Sequence, residues 1–274
     1  MSVWNPWHGC TRLSSGCRGC VVFRVDAAHG RNTELVRKTR AFDLPVRKDR
    51  NREYKLRPED GPVETCCTSD FFHPDADPWR KEAWEMMRGR PDLTFFITTK
   101  RPERFHVGLP EDWGSGYKNI MIGCSCESQY TADRRLPVFL RLPACHKRIV
   151  LEPMLQEINI ERYLEKYSAE IEEISCGGET GEDARELDYA CVIGMHLQCV
   201  KYDVPFRFRR TGTHFRRRGK LFTIEKEEQE LQAAAPFLFS HFPILPYRFV
   251  ISYSVFTSFS PNSSFRRRHF QLFP

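Results

Sequence analysis

From Pro62 onward the chain alternates between short apolar runs and longer segments with helical spacing. The runs are Val63–Thr68, Leu93–Thr98, Asn119–Cys124, Arg148–Leu151, Ile171–Cys176 and Val204–Phe208. Between them, Asp77–Arg90 carries Trp79, Ala83, Trp84 and Met87 at helical spacing. Ala132–Leu142 sets Leu136, Phe139 and Leu140 on one side, and Tyr189–Lys201 reads as a further helix. Short strands alternating with longer helices predict βα units, an α/β fold and a parallel sheet. Runs that are apolar throughout predict strands covered on both faces. Six or so units suit a partial or complete barrel, with an open doubly wound sheet as the alternative.

In either architecture the chemistry belongs at the carboxyl ends of the strands. Polar residues stand there in series: Ser69 and Asp70, Lys100 and Arg101, Glu127, Glu152, and Gly177-Gly178-Glu179. Any one of them is an ordinary strand end. Five in succession predict a shared site.

One segment stands outside this rhythm. Trp4–Cys20 holds Cys10, Cys17 and Cys20, separated by six and then two residues, with Gly9, Gly16 and Gly19 among them. Three thiolates with no fourth cysteine nearby suit a 4Fe–4S cluster that keeps one iron open to a small-molecule ligand. His8 could instead complete a Cys₃His zinc site, or the thiols could be small buried hydrophobes. The total of eleven cysteines is odd. No secretory leader pattern precedes the first motif, so reduced thiols and a cytoplasmic location are expected.

After this loop, Val21–Arg40 reads as a helix with a charged outer face, and Val46–Asp60 as an exposed, charged loop or hairpin. The formal charge of +6 includes +4 in residues 236–274, leaving a nearly neutral body. That balance argues against a large basic face for duplex DNA. A local contact with nucleic acid is still open at Phe206–Thr213, where aromatic and basic residues alternate ahead of Arg216–Lys220. Glu225–Gln232 reads as a short charged helix. Residues 1–232 are therefore expected to form the α/β domain, and 233–274 an irregular tail. That tail is rich in phenylalanine and lacks acidic residues from Pro236 on. Its prolines and Arg248 leave no uninterrupted apolar stretch of the ~20 residues a membrane helix needs.

Taken together, Trp4 to about Ile224 resembles the phage- and bacterium-associated protein family of unknown function with radical-SAM-like features. The matching segments are Trp4-Asn5-Pro6 with Gly9-Cys10-Thr11, Gly16-Cys17 and Cys20, then Thr68–His73, Thr99–Arg104, Leu109–Gly114, Glu152-Pro153 and Gly177–Glu179. The resemblance implies a partial (β/α)6 TIM-like barrel. It also implies a 4Fe–4S cluster on Cys10, Cys17 and Cys20 that binds S-adenosylmethionine, and a flavodoxin- or ferredoxin-like reductant. One-electron reduction would then release methionine and a 5′-deoxyadenosyl radical that takes a hydrogen from the substrate. That substrate would be a small molecule, a nucleotide or a nucleic acid. On this reading Lys100 or Arg101 would meet the cofactor carboxylate, and Ser69 and Asp70 its ribose. Glu152 and the Gly177-Gly178-Glu179 turn would hold its amino group or line the substrate side. The alternative of a different class is a zinc-stabilised nucleic-acid-binding protein that uses Arg207–Lys220 as its contact.

Overall fold

The computed structural model describes residues 2–234, and in it the apolar runs become strands of one parallel sheet. In chain order the strands are β1 (Ser2–Trp4), β2 (Trp7–His8), β3 (Arg37–Lys38), β4 (Val63–Thr65), β5 (Phe95–Thr99) and β6 (Ile120–Ser125). They continue as β7 (His146–Leu151), β8 (Ile171–Gly177), β9 (Leu187–Asp188), β10 (Phe206–Arg210), β11 (His214–Arg217) and β12 (Lys220–Thr223). The helices are α1 (Val21–Ala28), α2 (Asp77–Arg88), α3 (Gln129–Phe139), α4 (Glu161–Tyr167), α5 (Tyr189–Lys201) and α6 (Gln229–Ala234). Seven strands pair in parallel in the order β1–β4–β5–β6–β7–β8–β10. A small sheet β12–β11–β9 and the antiparallel pair β2–β3 lie beside it.

The sheet curls into a half-barrel. Laid flat, β4 and β10 would stand roughly 24 Å apart at ~4.8 Å per strand. Yet Arg209 of β10 exerts its charge on Cys67, two residues past β4, and on Glu64 within it. Only a sheet that brings its two sides round to face each other permits this.

The faces of the sheet differ in chemistry because side chains alternate along a strand. One row runs through Phe95, Ile97, Ile120, Ile122, Cys124, Ile149, Leu151, Ile174 and Cys176, each fully or almost fully buried. It belongs to the same apolar core as Trp84 and Met87 of α2, Leu136 and Phe139 of α3, Leu164 of α4, and Val192 and Met195 of α5. The other row is Glu64, Phe96 and Thr98, Gly123 and Ser125, Arg148, Val150 and Glu152, Glu173 and Ser175, then Arg207 and Arg209. This second face is concave and largely polar. The expectation of apolar strands on both faces therefore holds only in part. Phe96, Met121 and Val150 supply the apparent continuity, while the charged positions between them line the concavity.

Three local readings change. Ser2–Trp4 is a strand too short to show periodicity, and it adds a seventh member to the six expected. The helix at Val21 ends by Ala28, because Gly30 turns to a φ of +63° and Arg37–Lys38 pairs with Trp7–His8. The helix expected from Ala132 starts at Gln129, where the Ser128 hydroxyl caps the Thr131 N–H. Among the described residues no helix is long and apolar enough to cross a membrane. The phenylalanine-rich tail beyond α6 lies outside the described residues.

Candidate active site

The cysteine loop leaves β1 and crosses the carboxyl ends of the strands, where it is held at two places. At the front, Ser69 Oγ donates to the Gly9 carbonyl. Arg101 Nη2 donates to Thr11 O at 3.1 Å and to Thr11 Oγ1 at 2.9 Å, and the His73 ring meets the same hydroxyl at 3.1 Å. Arg101 Nη1 also points at Cys10 Sγ, 3.7 Å away. Burial pushes the Cys10 thiol up, and the Arg101 charge opposes that rise.

At the back, the loop presses on two carboxylates. A Cβ on Gly16 would come within 2.9 Å of Glu127, and one on Gly19 within 2.1 Å of Glu179 Oε1. No larger residue fits at either position with those carboxylates in place. Glu127, wholly buried, pairs with Arg135 at 2.9 Å, and its Oε1 accepts the Gly16 N–H at 3.4 Å. Arg135 also reaches Ser14 Oγ at 3.0 Å. Glu179 accepts three N–H groups of Arg185, whose Nη1 donates onward to Ser15 O at 2.9 Å. Burial alone would raise both carboxyls. For Glu127 the Ser14 hydrogen bond and the Arg135 and Lys100 charges hold it below the ordinary range, and for Glu179 the Arg185 fork does so.

The predicted strand-end residues divide into two groups. Asp70 is committed inside the protein: it accepts from Thr99 Oγ1 (2.7 Å), Phe72 N (2.9 Å) and Lys100 N (2.9 Å), and pairs with Arg101 at 3.1 Å. Ser69, Asp70 and Arg101 thus scaffold the loop. Glu179 does so too, and the Gly178 N–H ties that turn to the Arg210 carbonyl at 3.0 Å. Lys100 and Glu152 form the second group. The Lys100 ammonium has no hydrogen-bond or ion-pair partner among the described residues, though its charge acts on Glu127 and Cys124. Glu152 stands on the concave face, accepts from Ser175 at 3.2 Å, and faces Arg209 and Arg210 at 3.6 Å each. Gly177 lies between Glu152 and Arg210.

Cys10, Cys17 and Cys20 are free and half-buried, whereas Cys66, Cys124, Cys126, Cys176 and Cys199 are buried. Among the described residues no three His, Cys, Asp or Glu side chains are gathered closely enough to hold one ion. His8, the proposed fourth zinc ligand, has its Nε2 bound to Asp26 at 2.8 Å. Soft thiols on one loop are the donor type of both an iron–sulfur cluster and a structural zinc site. The aromatic–basic run is a strand whose rings are packed away: Phe206 lies 5.3 Å from the His196 ring and Phe208 is stacked 6.0 Å from Phe215.

Reading the sequence alone passed over Arg135, Arg185, Arg148 and Cys67, and took Arg209 only as part of the aromatic–basic run. Arg148 could have been found from its parity, since it shares the strand face of Val150 and Glu152.

The fold and site define an α/β half-barrel protein with a thiol-bearing loop clamped over the carboxyl ends of its strands. The chain belongs to the family described as "Protein of unknown function (DUF5131)", whose match covers residues 1–241. No curated protein and no solved structure matches it.

Proposed function

We propose that this protein is a radical S-adenosylmethionine enzyme whose Cys10, Cys17 and Cys20 hold a 4Fe–4S cluster. One observation carries the reading: three half-buried free thiols share the loop that leaves the first strand of a parallel half-barrel whose concave face is polar. Such a cluster, reduced by a flavodoxin- or ferredoxin-like partner, supplies the electron that splits the sulfonium of S-adenosylmethionine into methionine and a 5′-deoxyadenosyl radical.

The chain's own residues then have distinct tasks. Arg101 favours the thiolate form of Cys10 by its charge and its N–H. Lys100, without a partner among the described residues, is the cation available to a cofactor carboxylate. Glu152, at the rim of the concavity, is the carboxylate available to an amino group. Glu127 and Glu179 hold the loop in register with the strand ends.

Anaerobic reconstitution with iron and sulfide, followed by metal analysis and an absorbance spectrum, tests the reading. About four irons per chain and a band near ~400 nm, both lost in Cys17→Ala, are expected. One tightly held zinc and no such band would overturn it.

A further inference from the structure

The concave face carries hydrogen-bonding capacity that the described residues leave unused. Among the described residues, Ser125, 2% exposed, has an Oγ without a partner, and Arg148, 5% exposed, has an unpartnered Nε. Arg210 Nε is buried and unpartnered as well. Buried polar groups of this kind are rare in native proteins, because each loses its water without a replacement.

The geometry of the arginines shows what they face. Arg148 leaves β7 and lies across Gly123 of β6, where a Cβ would stand 3.0 Å from its Nε. It donates to Thr98 Oγ1 of β5 at 2.9 Å and approaches Glu64 of β4 at 3.4 Å, its guanidinium carbon 4.7 Å from the centre of the Phe96 ring. Opposite, Arg209 and Arg210 share the single carboxylate of Glu152, both at 3.6 Å, too long for a hydrogen bond. Three guanidinium groups therefore face two carboxylates. Counting also the exposed Arg207, with Glu173 and Glu230 whose charges reach Arg209, four arginines meet four carboxylates, so the excess is local to Arg148, Arg209 and Arg210.

We propose that this face binds a substrate through an oxyanion, carboxylate or phosphate, seated between Arg148 on one side and Arg209 and Arg210 on the other, with the Ser125 hydroxyl at its edge. Planar guanidinium groups suit both oxyanions, because each offers a fork of N–H donors. This substrate class deepens the radical S-adenosylmethionine reading and rests on it only for the reaction.

Cys67 provides a built-in reporter. It is open to solvent at the mouth of the concavity, within reach of the charges of Glu64, Arg148 and Arg209. Cys145, also exposed and free, lies elsewhere and serves as the reference. The test compares the rates at which iodoacetate (anionic) and iodoacetamide (neutral) alkylate each cysteine of the full chain, read by peptide mass mapping. Both reagents need the thiolate, so their ratio cancels the thiolate fraction.

At low salt the ratio at Cys67 should exceed that at Cys145 by about tenfold and collapse in high salt. Arg209→Gln should lower it several-fold, and Arg210→Gln offers a second variant on the rim if the first does not fold. Millimolar inorganic pyrophosphate or citrate should slow labelling of Cys67 alone, and whichever does so identifies the phosphate or the carboxylate source. A ratio at Cys67 no higher than at Cys145, or no slowing by either anion, overturns the proposal. The labelling needs no iron, so this inference and the cluster can fail separately.

Discussion

Replacing Glu127 by alanine should loosen the cysteine loop and destabilise the whole domain. The carboxylate is wholly buried and is held ionised by the Ser14 hydroxyl, Arg135 and Lys100. Its loss strands the Arg135 guanidinium, whose side chain is only 9% exposed. Removing one partner of a buried ion pair costs about 3–5 kcal/mol. Arg135 keeps its bonds to Ser125 O at 2.8 Å and Ser14 Oγ at 3.0 Å, so the lower end, about 3 kcal/mol, is expected. Domains of this size lose roughly 2–4 °C in Tm per kcal/mol, which predicts a fall of about 6–12 °C. Glu127→Gln keeps an acceptor for the Gly16 N–H and should cost only about 1–2 kcal/mol. Thermal unfolding gives the stability, and hydrogen exchange over residues 14–20 reports the loop. An alanine variant within about 2 °C of wild type, with unchanged exchange, would refute the clamp.

Other expectations follow from the same geometry. Gly178→Ala puts a Cβ 2.2 Å from the Thr211 carbonyl oxygen and 2.8 Å from Gly212 Cα, backbone that cannot swing aside, so soluble yield and Tm should drop sharply. Gly194→Ala, on α5 with its nearest neighbour at 3.9 Å, should instead raise Tm by favouring the helix by up to about 1 kcal/mol. The carboxyls of Glu127 and Glu179 are depressed in the folded state. They therefore contribute stability above their unfolded pKa of about 4.3 and lose it as pH falls through the lower folded values. Tm should accordingly fall on acidification below about pH 4.3, and the double variant Glu127→Gln/Glu179→Gln should show a shallower slope.

Much of the fold is legible in the sequence, because buried strands in a βα series announce themselves as apolar runs. Leu93–Thr98 and Ile171–Cys176 were legible for that reason. What escaped has physical causes. Ser2–Trp4 takes its strand character from pairing with β4, which no local pattern encodes. The charge run Arg31–Arg40 mimics a helix face, but Gly30 turns the chain before it. At the site, position at a strand end was legible and use was not. Asp70 and Arg101 look alike as candidates to Lys100 and Glu152, yet the first two are saturated by neighbours up to 91 residues away. Saturation is a property of the folded molecule. Arg148 was hidden by the apolar residues alternating with it, and Arg209 and Arg210 were visible only as part of an aromatic–basic run, not as one wall of a concave face.

The back clamp of the cysteine loop also orders events in time. The thiols are synthesised more than a hundred residues ahead of the groups that wall the loop in. Glu127 lies 111 residues after Gly16, Arg135 lies 121 after Ser14, and Arg185 lies 170 after Ser15. At about 5–20 residues per second, synthesis of the last interval alone takes roughly 10–35 s. Until that interval ends the back wall is incomplete, and the sulfurs are less protected from oxidation and from stray metal. Whatever those thiols hold is therefore best delivered after translation, onto a barrel whose far strands already exist. Cells that shield nascent thiols should yield more competent protein than those that do not.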